Sequence, residues 1–327
     1  MISSAEAPRP DTPATFILEP GKPVPDALRG RVLALGNFDG VHRGHAELAR
    51  VAGEMAAGQG GKAAALTFEP HPRSVFRPDQ PVFRLTPAAL KVELLASEGL
   101  ATSFVLPFDR EIAAVAAEAF IDELLLGRLG AAGLVCGYDF HFGAGRTGSP
   151  EMLQARACAA GVPVAVVAPY SWQGEPVSST LIRTALEQGD VARAAEFLGR
   201  PWFVRGVVAH GDKRGRELGY PTANMHLPRD CRLRYGVYAV RMRVDGIWRD
   251  GVASFGSRPT FDDGAPRLET YLFDFSGDLY GKTVDVALVA WLRGEAKFDT
   301  LEALIVQMDA DSRQARDILG RTPPFLP

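Results

Sequence analysis

Between residues 31 and 170 the chain repeats one pattern: a short apolar run, a polar break, then a stretch with helical spacing. The apolar runs fall at 32–35, 62–68, 102–106, 133–136 and 163–168, and helical spacing fills 44–57, 86–97, 111–127 and 149–160. Ser149 suits the N-cap of the last helix and Pro150 its first position. Short buried-type strands alternating with helices predict an α/β doubly wound parallel sheet, Rossmann-like in outline. In such sheets ligands bind beyond the carboxyl ends of the strands. Residues that carry chemistry should therefore follow each apolar run.

Past residue 200 the period changes. Strand patterns at 202–210, 235–244, 247–256, 267–275 and 283–292 are split by turns such as Asp245-Gly246 and Asp262-Asp263-Gly264. Strands broken about every ten residues predict a small antiparallel β-barrel. A C-terminal helix over 300–319 carries an apolar stripe of Leu301, Leu304, Ile305, Met308 and Ala315, and Asp299 with Glu302 reads as its capping box. Between the halves, 187–199 reads as a helical linker that restarts at Gly189-Asp190 and ends at Gly199-Arg200-Pro201. The expected divisions are a flexible, polar, Pro-rich tail at 1–15, one domain at 16–186, the linker, and a second domain at 200–327. A chain of 327 residues suits two domains.

Charge and cysteine usage exclude several classes. The formal net charge of −3 gives no strong field for nucleic acid or an anionic membrane. Cys136, Cys158 and Cys231 form no C-x-x-C pair, which argues against a disulfide framework or a zinc site. No apolar run reaches the ~18 residues of a membrane span, and the first residues have no signal-peptide core. The expected compartment is the cytoplasm, with small molecules as partners and self-association allowed.

The strand ends carry the motifs. After the first run comes GNFDGVHRGH, with His42 and His45 three apart where a helix opens. Residues i and i+3 share a helix face, and a helix N-terminus offers unpaired N–H groups to an anion. The second run is followed by TFEPHPRSVF, the fourth by GYDFHFGAGRTGS, and VSSTLIRTAL lies beyond the fifth. An H-x-x-H pair alone is more often two half-buried surface histidines. Its place on a strand–Gly–helix junction makes the longer string more specific. In the second half, GDKRGRELGYPTAN is Gly-rich and basic without being a P-loop. Glu269, in RLETYLFDF, shares a strand face with Tyr271.

The H-x-G-H string resembles the signature of the nucleotidyltransferase superfamily. PTAN resembles the riboflavin kinase motif. Together, over roughly residues 16–322, the chain is similar to bacterial bifunctional riboflavin kinase / FAD synthetases. That resemblance implies two ATP-dependent transferase reactions: riboflavin to FMN in the barrel, and FMN to FAD with release of pyrophosphate in the α/β domain. ATP is the co-substrate and Mg2+ the expected metal. Gly36, Asn37, Phe38, Asp39, His42, Gly44 and His45 are implied at the ATP phosphates. Asp139, Phe140, Gly143 and Arg146 are implied around the nucleotide, and Ser178, Ser179, Thr180 and Arg183 at the phosphates. Pro70, His71 and Pro72 are implied beside FMN. In the barrel the resemblance implies Thr222 and Asn224 as holders of Mg2+ and ATP, with Gly211, Gly215 and Gly219 closing over the phosphates. It implies Glu269 as the kinase general base and Arg293 on a loop over the flavin.

Three places depart from the family pattern: His141 and Ser149, where Arg and Asp are expected, and Ser254-Phe255 before Gly256, where Asn-Ile is expected. Tyr138 reads as a packing residue. An adenylyl- or cytidylyltransferase for another acceptor is the first rival, and a non-catalytic flavin-binding module the second. PTAN with Glu269 on the same chain argues against the first, and the intact His42, His45, Asn224 and Glu269 against the second.

Overall fold

A computed structural model describes residues 13–209, 219–257 and 265–323. By contacts the chain divides into two units: Met1–Val82 with Thr86–Pro176, and Phe83–Leu85 with Val177–Pro327.

In the first unit, six strands form an entirely parallel sheet. They are β1 (Ala14–Ile17), β2 (Val32–Leu35), β3 (Ala63–Glu69), β4 (Thr102–Pro107), β5 (Gly133–Gly137) and β6 (Val164–Val167), in the order β1-β4-β3-β2-β5-β6. Alternation along β2 shows why both faces are covered. Leu33 and Leu35 join a cluster with Leu66, Phe104 and Leu134, whereas Val32 and Ala34 join one with Leu48, Ala52 and Val135. A strand apolar on both faces can only be satisfied by helices on both sides. The chain leaves β2 toward β3 on one side and returns through β5 on the other, so the order reverses between β2 and β5. Their carboxyl ends define the switch point at which doubly wound sheets bind ligands.

The helices of this unit are α1 (Arg43–Gly58), α2 (Pro72–Phe76), α3 (Ala88–Ser97), α4 (Arg110–Ala113), α5 (Ala117–Ala119), a π-helix at Phe120–Arg128, and α6 (Pro150–Ala159). The single helix expected over 111–127 is thus three pieces, interrupted at residues 114–116. β1 was not expected: it begins at Ala14, inside the stretch read as tail, and pairs in parallel with β4. A short hairpin, β7 (Ser171–Trp172) with β8 (Glu175–Pro176), closes the unit.

The second unit opens with α7 (Ser179–Gln188) and α8 (Val191–Leu198). Gly189 (φ 80°) ends α7 in the left-handed region and Asp190 caps α8, so the helix restarts where the Gly-Asp pair placed it. The barrel strands are β9 (Phe203–Val207), β10 (Thr222–His226), β11 (Gly236–Val244), β12 (Ile247–Ser257), β13 (Pro266–Leu272) and β14 (Thr283–Arg293). They run antiparallel in the order β10-β13-β12-β11-β14-β9, and a bridge between Ala209 and Asn224 brings the two edges together. The C-terminal helix, α9 (Leu301–Arg321), lays Ala315 and Leu319 against Val237, Ala239, Val252 and Phe273 on the outside of the barrel. Its N-cap is Thr300, whose hydroxyl accepts from Ala303 N, and not Asp299. Leu301 is 51% exposed and takes no part in the expected apolar stripe.

Candidate functional sites

The sequence after β2 is held in an unusual loop. Phe38 and Val41 are buried in the left-handed region, at φ 51° and 43°, with Gly40 at 89° between them. Such conformations persist only where the surroundings enforce them. Here the enforcing groups come from neighbouring elements of the same unit. Asp39 Oδ1 accepts from Thr86 N at 3.0 Å, and Gly40 N donates to Thr86 Oγ1 at 3.0 Å. Phe38, implied beside ATP, is packed in the core at 0% exposure, and the Asp39 carboxylate is buried as a brace for the loop.

His42 is the N-cap of α1 and His45 its third residue. They form a reciprocal capping box: His45 N donates to His42 Nδ1, and His42 N donates to His45 Nδ1, each at 3.3 Å. The rings stack with centroids 3.6 Å apart and 15° between planes. An Nδ1 that accepts a backbone N–H cannot carry the proton of a neutral ring, so each neutral imidazole holds it on Nε2. The pair therefore presents two donors of one kind from the positive end of a sixteen-residue helix.

The other strand ends are placed as follows. Pro70, His71 and Pro72 follow β3 directly, and His71 caps α2 by accepting from Arg73 N at 3.2 Å. Asp139 follows β5 and is exposed. Tyr138, expected to pack, is 53% exposed. Phe140 stacks on Phe142, and Gly143 meets the backbone of α5, where a Cβ would lie 2.6 Å from Ala117 Cα. Arg146 is exposed, at φ 59°. The two departures here have local duties: His141 Nδ1 bonds Gly148 O at 3.2 Å, and Ser149 caps α6 through Met152 N. Cys136, near the end of β5, is buried, and burial pushes its thiol up to about 12, which disfavours the reactive thiolate.

Ser178, Ser179, Thr180 and Arg183 belong by contacts to the second unit. Ser178 caps α7, accepting from Leu181 N, and Arg183 Nε donates to Phe83 O at 2.7 Å.

In the barrel, PTAN is not a loop. Thr222 and Asn224 lie on β10, with Asn224 directly opposite Glu269 and Thr222 opposite Tyr271 on β13. Residues paired across strands point to the same face, so Thr222, Asn224 and Glu269 form one oxygen-rich group. Ser254 pairs with Glu269 from the other side, on β12. Arg267 Nη1 lies 3.8 Å from Glu269 Oε1. Asn224 is buried, and its Nδ2 donates to Thr222 O at 3.3 Å. A cavity of about 290 Å3 opens beside this group, lined by Pro221, Thr222, Asn224, Phe275, Leu279 and Tyr280 among others. Ser254 and Phe255, the third departure, divide by face: Phe255 is fully buried against Tyr235, and Ser254 is exposed beside Glu269.

Tyr220 precedes the motif and donates its hydroxyl to Asp309 on α9. Burial first, and that carboxylate second, push its pKa up to about 12. Gly219 takes φ 80°; Gly211 and Gly215 lie outside the described residues. Arg293, expected on a loop, is the last residue of β14 and is clamped to Asp311 by bonds of 2.7–3.1 Å, with Gln307 on the same carboxylate.

Two groups of this kind, at a Rossmann-type switch point and on a barrel face, define an enzyme that transfers phosphate-bearing groups. The chain matches the FAD synthetase family model over residues 24–181 and the riboflavin kinase model over 198–319. It is 39% identical to a bifunctional riboflavin kinase/FMN adenylyltransferase of Pseudomonas fluorescens, over 88% of this chain and 93% of the relative. It is 38% identical to the Escherichia coli protein of the same name, over 90% and 95%. A crystal structure described as a macrolide-efflux protein from Streptococcus pneumoniae superposes with a TM-score of 0.82 and 33% identity, over 93% of this chain and 99% of its own. The chain belongs to the bifunctional riboflavin kinase/FMN adenylyltransferase family, with an FAD synthetase domain followed by a riboflavin kinase domain. Among the described residues no helix is long and apolar enough to cross a membrane.

Proposed function

We propose that the two sites act in sequence on one flavin, and that the residues assembled above carry the two transfers. The observation behind this reading is that each half of the chain gathers its own phosphate-handling group: stacked His42 and His45 in one, Thr222, Asn224 and Glu269 in the other.

In the barrel, riboflavin's terminal ribityl hydroxyl is a poor nucleophile until it loses its proton. Glu269 takes that proton as the oxygen bonds to the γ-phosphorus of ATP and the bond to the β-phosphate oxygen breaks, giving FMN and ADP. Thr222 and Asn224 offer neutral oxygens. Such a pair fits Mg2+, which draws most of its ligands from water and nucleotide phosphates rather than from a protein cage. When bound, the ion neutralises phosphate charge. The apolar and aromatic wall of the neighbouring cavity, Phe275, Leu279 and Tyr280, suits a nucleoside base.

In the first unit, an FMN phosphate oxygen attacks the α-phosphorus of a second ATP and pyrophosphate leaves. That phosphate is already ionised at neutral pH, so no general base is needed. His42 and His45 donate from Nε2 to the oxygens on which charge grows. Pro70, His71 and Pro72 flank FMN, and Asp139 and Arg146 the nucleotide. Ser178, Ser179, Thr180 and Arg183 serve the same reaction, Arg183 following the pyrophosphate. The functional divisions are residues 16–186 for adenylyl transfer, 187–199 as the link and 200–327 for phosphorylation. The compartment is the cytoplasm, in keeping with free cysteines at 136, 158 and 231. The partners are small molecules rather than nucleic acid.

Chromatography resolves FMN and FAD as wild type, His45→Ala and Glu269→Ala are given Mg·ATP and riboflavin. Wild type is expected to make FMN and then FAD. His45→Ala should stop at FMN. Glu269→Ala should leave riboflavin unchanged yet convert supplied FMN to FAD. A His45→Ala protein that still makes FAD at the wild-type rate removes the histidines from the mechanism.

A further inference from the structure

Among the described residues the first unit buries one lysine, and its contacts join two segments that the chemistry needs at a fixed separation. Lys91, in the first turn of α3, is 2% exposed. Its Nζ lies 2.6 Å from Glu69 Oε1, 2.9 Å from Thr67 Oγ1 and 3.2 Å from the carbonyl oxygen of Asn37. Thr67 is itself fully buried and donates to the same carbonyl at 3.1 Å. Asn37 opens the loop that ends at His42. Glu69 is the last residue of β3, immediately before Pro70, His71 and Pro72. A charged amine taken out of water is costly unless it is paired and hydrogen-bonded, and here it is both. The same bonds could be avoided by an apolar side chain of similar length, so what the amine provides is position.

We propose that Lys91 is a positioning residue for adenylyl transfer. Its ammonium fixes the Asn37 carbonyl and the Glu69 carboxylate to one point, and so sets the distance between the phosphate-binding loop and the Pro70–Pro72 segment. This rests on the reading of the first site given above. Lys91 touches no reacting atom in that reading; it acts through the two segments that do. Thr86, five residues earlier, holds Asp39 and Gly40 of the same loop. The segment that starts α3 therefore secures the loop on both sides of Phe38, the first of its residues with a left-handed backbone. Misplacing reacting groups by about an ångström costs on the order of a hundredfold in rate.

The test uses Lys91→Met combined with Glu69→Gln, which removes both charges and so strands neither. The full-length chain is assayed for FAD formation from FMN and Mg·ATP, for riboflavin phosphorylation, and for its melting profile. The double variant should fold, phosphorylate riboflavin as wild type does, and lose roughly 10- to 100-fold in kcat for FAD formation. KM for FMN and ATP should move less than about threefold, the pattern of lost alignment rather than lost binding. A wild-type kcat in the double variant overturns the proposal, since Lys91 then only neutralises Glu69. So does loss of FAD formation in step with a lowered melting temperature, which marks a purely structural role. If wild type itself makes no FAD from FMN, the assignment of the site falls first, and the role of Lys91 with it.

Discussion

A methyl group on residue 44 would sit 3.2 Å from both Cε1 and Nδ1 of His42. Few real side-chain contacts are that tight, and the His42 ring has His45 stacked on its other neighbour position at 3.6 Å. The glycine of H-x-G-H is thus favoured by ring packing, not by its own backbone angles. Gly44→Ala should push His42 out of the stack and weaken the reciprocal caps. FAD formation from FMN is expected to fall by roughly tenfold or more, while riboflavin phosphorylation stays at the wild-type rate; equal rates of FAD formation would mean the stack is dispensable. At this scale the placing of the two histidines where a helix opens, and of Glu269 on a strand, was legible because each sits in a short, dense string. The residues that hold them were not. Lys91 reaches partners 24 and 54 positions away, and nothing in the local pattern of a helix distinguishes it from a solvated lysine. Its burial would have been the signal, and burial is a property of the fold.

Among the elements, five of the six parallel strands were legible to within about a residue, because strands covered on both faces are continuous apolar runs; β1 lies partly inside the stretch expected to be tail. β10 was missed for the opposite reason: TANMH is short and half polar, and becomes a strand by pairing with β13. The helix expected over 111–127 broke because apolar spacing does not report where the winding tightens or loosens. The end of α9 was equally silent in sequence. Arg241, on β11, donates to the carbonyls of Leu319, Thr322 and Pro323 and to Asp250 Oδ1. The last carbonyls of a helix lack partners within it, and a buried guanidinium there answers both the hydrogen bonds and the dipole. Arg241→Leu leaves these acceptors stranded, at a cost of about 3 kcal/mol. The barrel should unfold roughly 10 °C lower, seen as riboflavin phosphorylation lost on heating before FAD formation is. Loss of both activities together would show that α9 stabilises more than the barrel.

As a whole the molecule combines two units with separate cores, and the change of hydrophobic period near residue 200 made that division readable. What the period could not place is the helix carrying Ser178–Arg183. Its sequence follows the last parallel strand, whereas its contacts begin the second unit at Val177. Separate cores have a chemical consequence. Thr222, Asn224 and Glu269 lie within one unit, and His42 and His45 within the other, so Glu269→Ala leaves the histidine pair in place and His45→Ala leaves the barrel group in place. FMN made by one chain should then be usable by another. A mixture of His45→Ala and Glu269→Ala chains, each unable to take riboflavin to FAD, is expected to do so together. FAD should appear after a lag in which free FMN rises, and dilution should lengthen that lag. Direct transfer of FMN within a chain predicts the contrary: each variant performs its own half-reaction, yet the mixture gives no FAD on the timescale of wild type at any concentration. The lag and its dependence on dilution separate these outcomes, because only passage through solution makes the second step depend on how much FMN has accumulated.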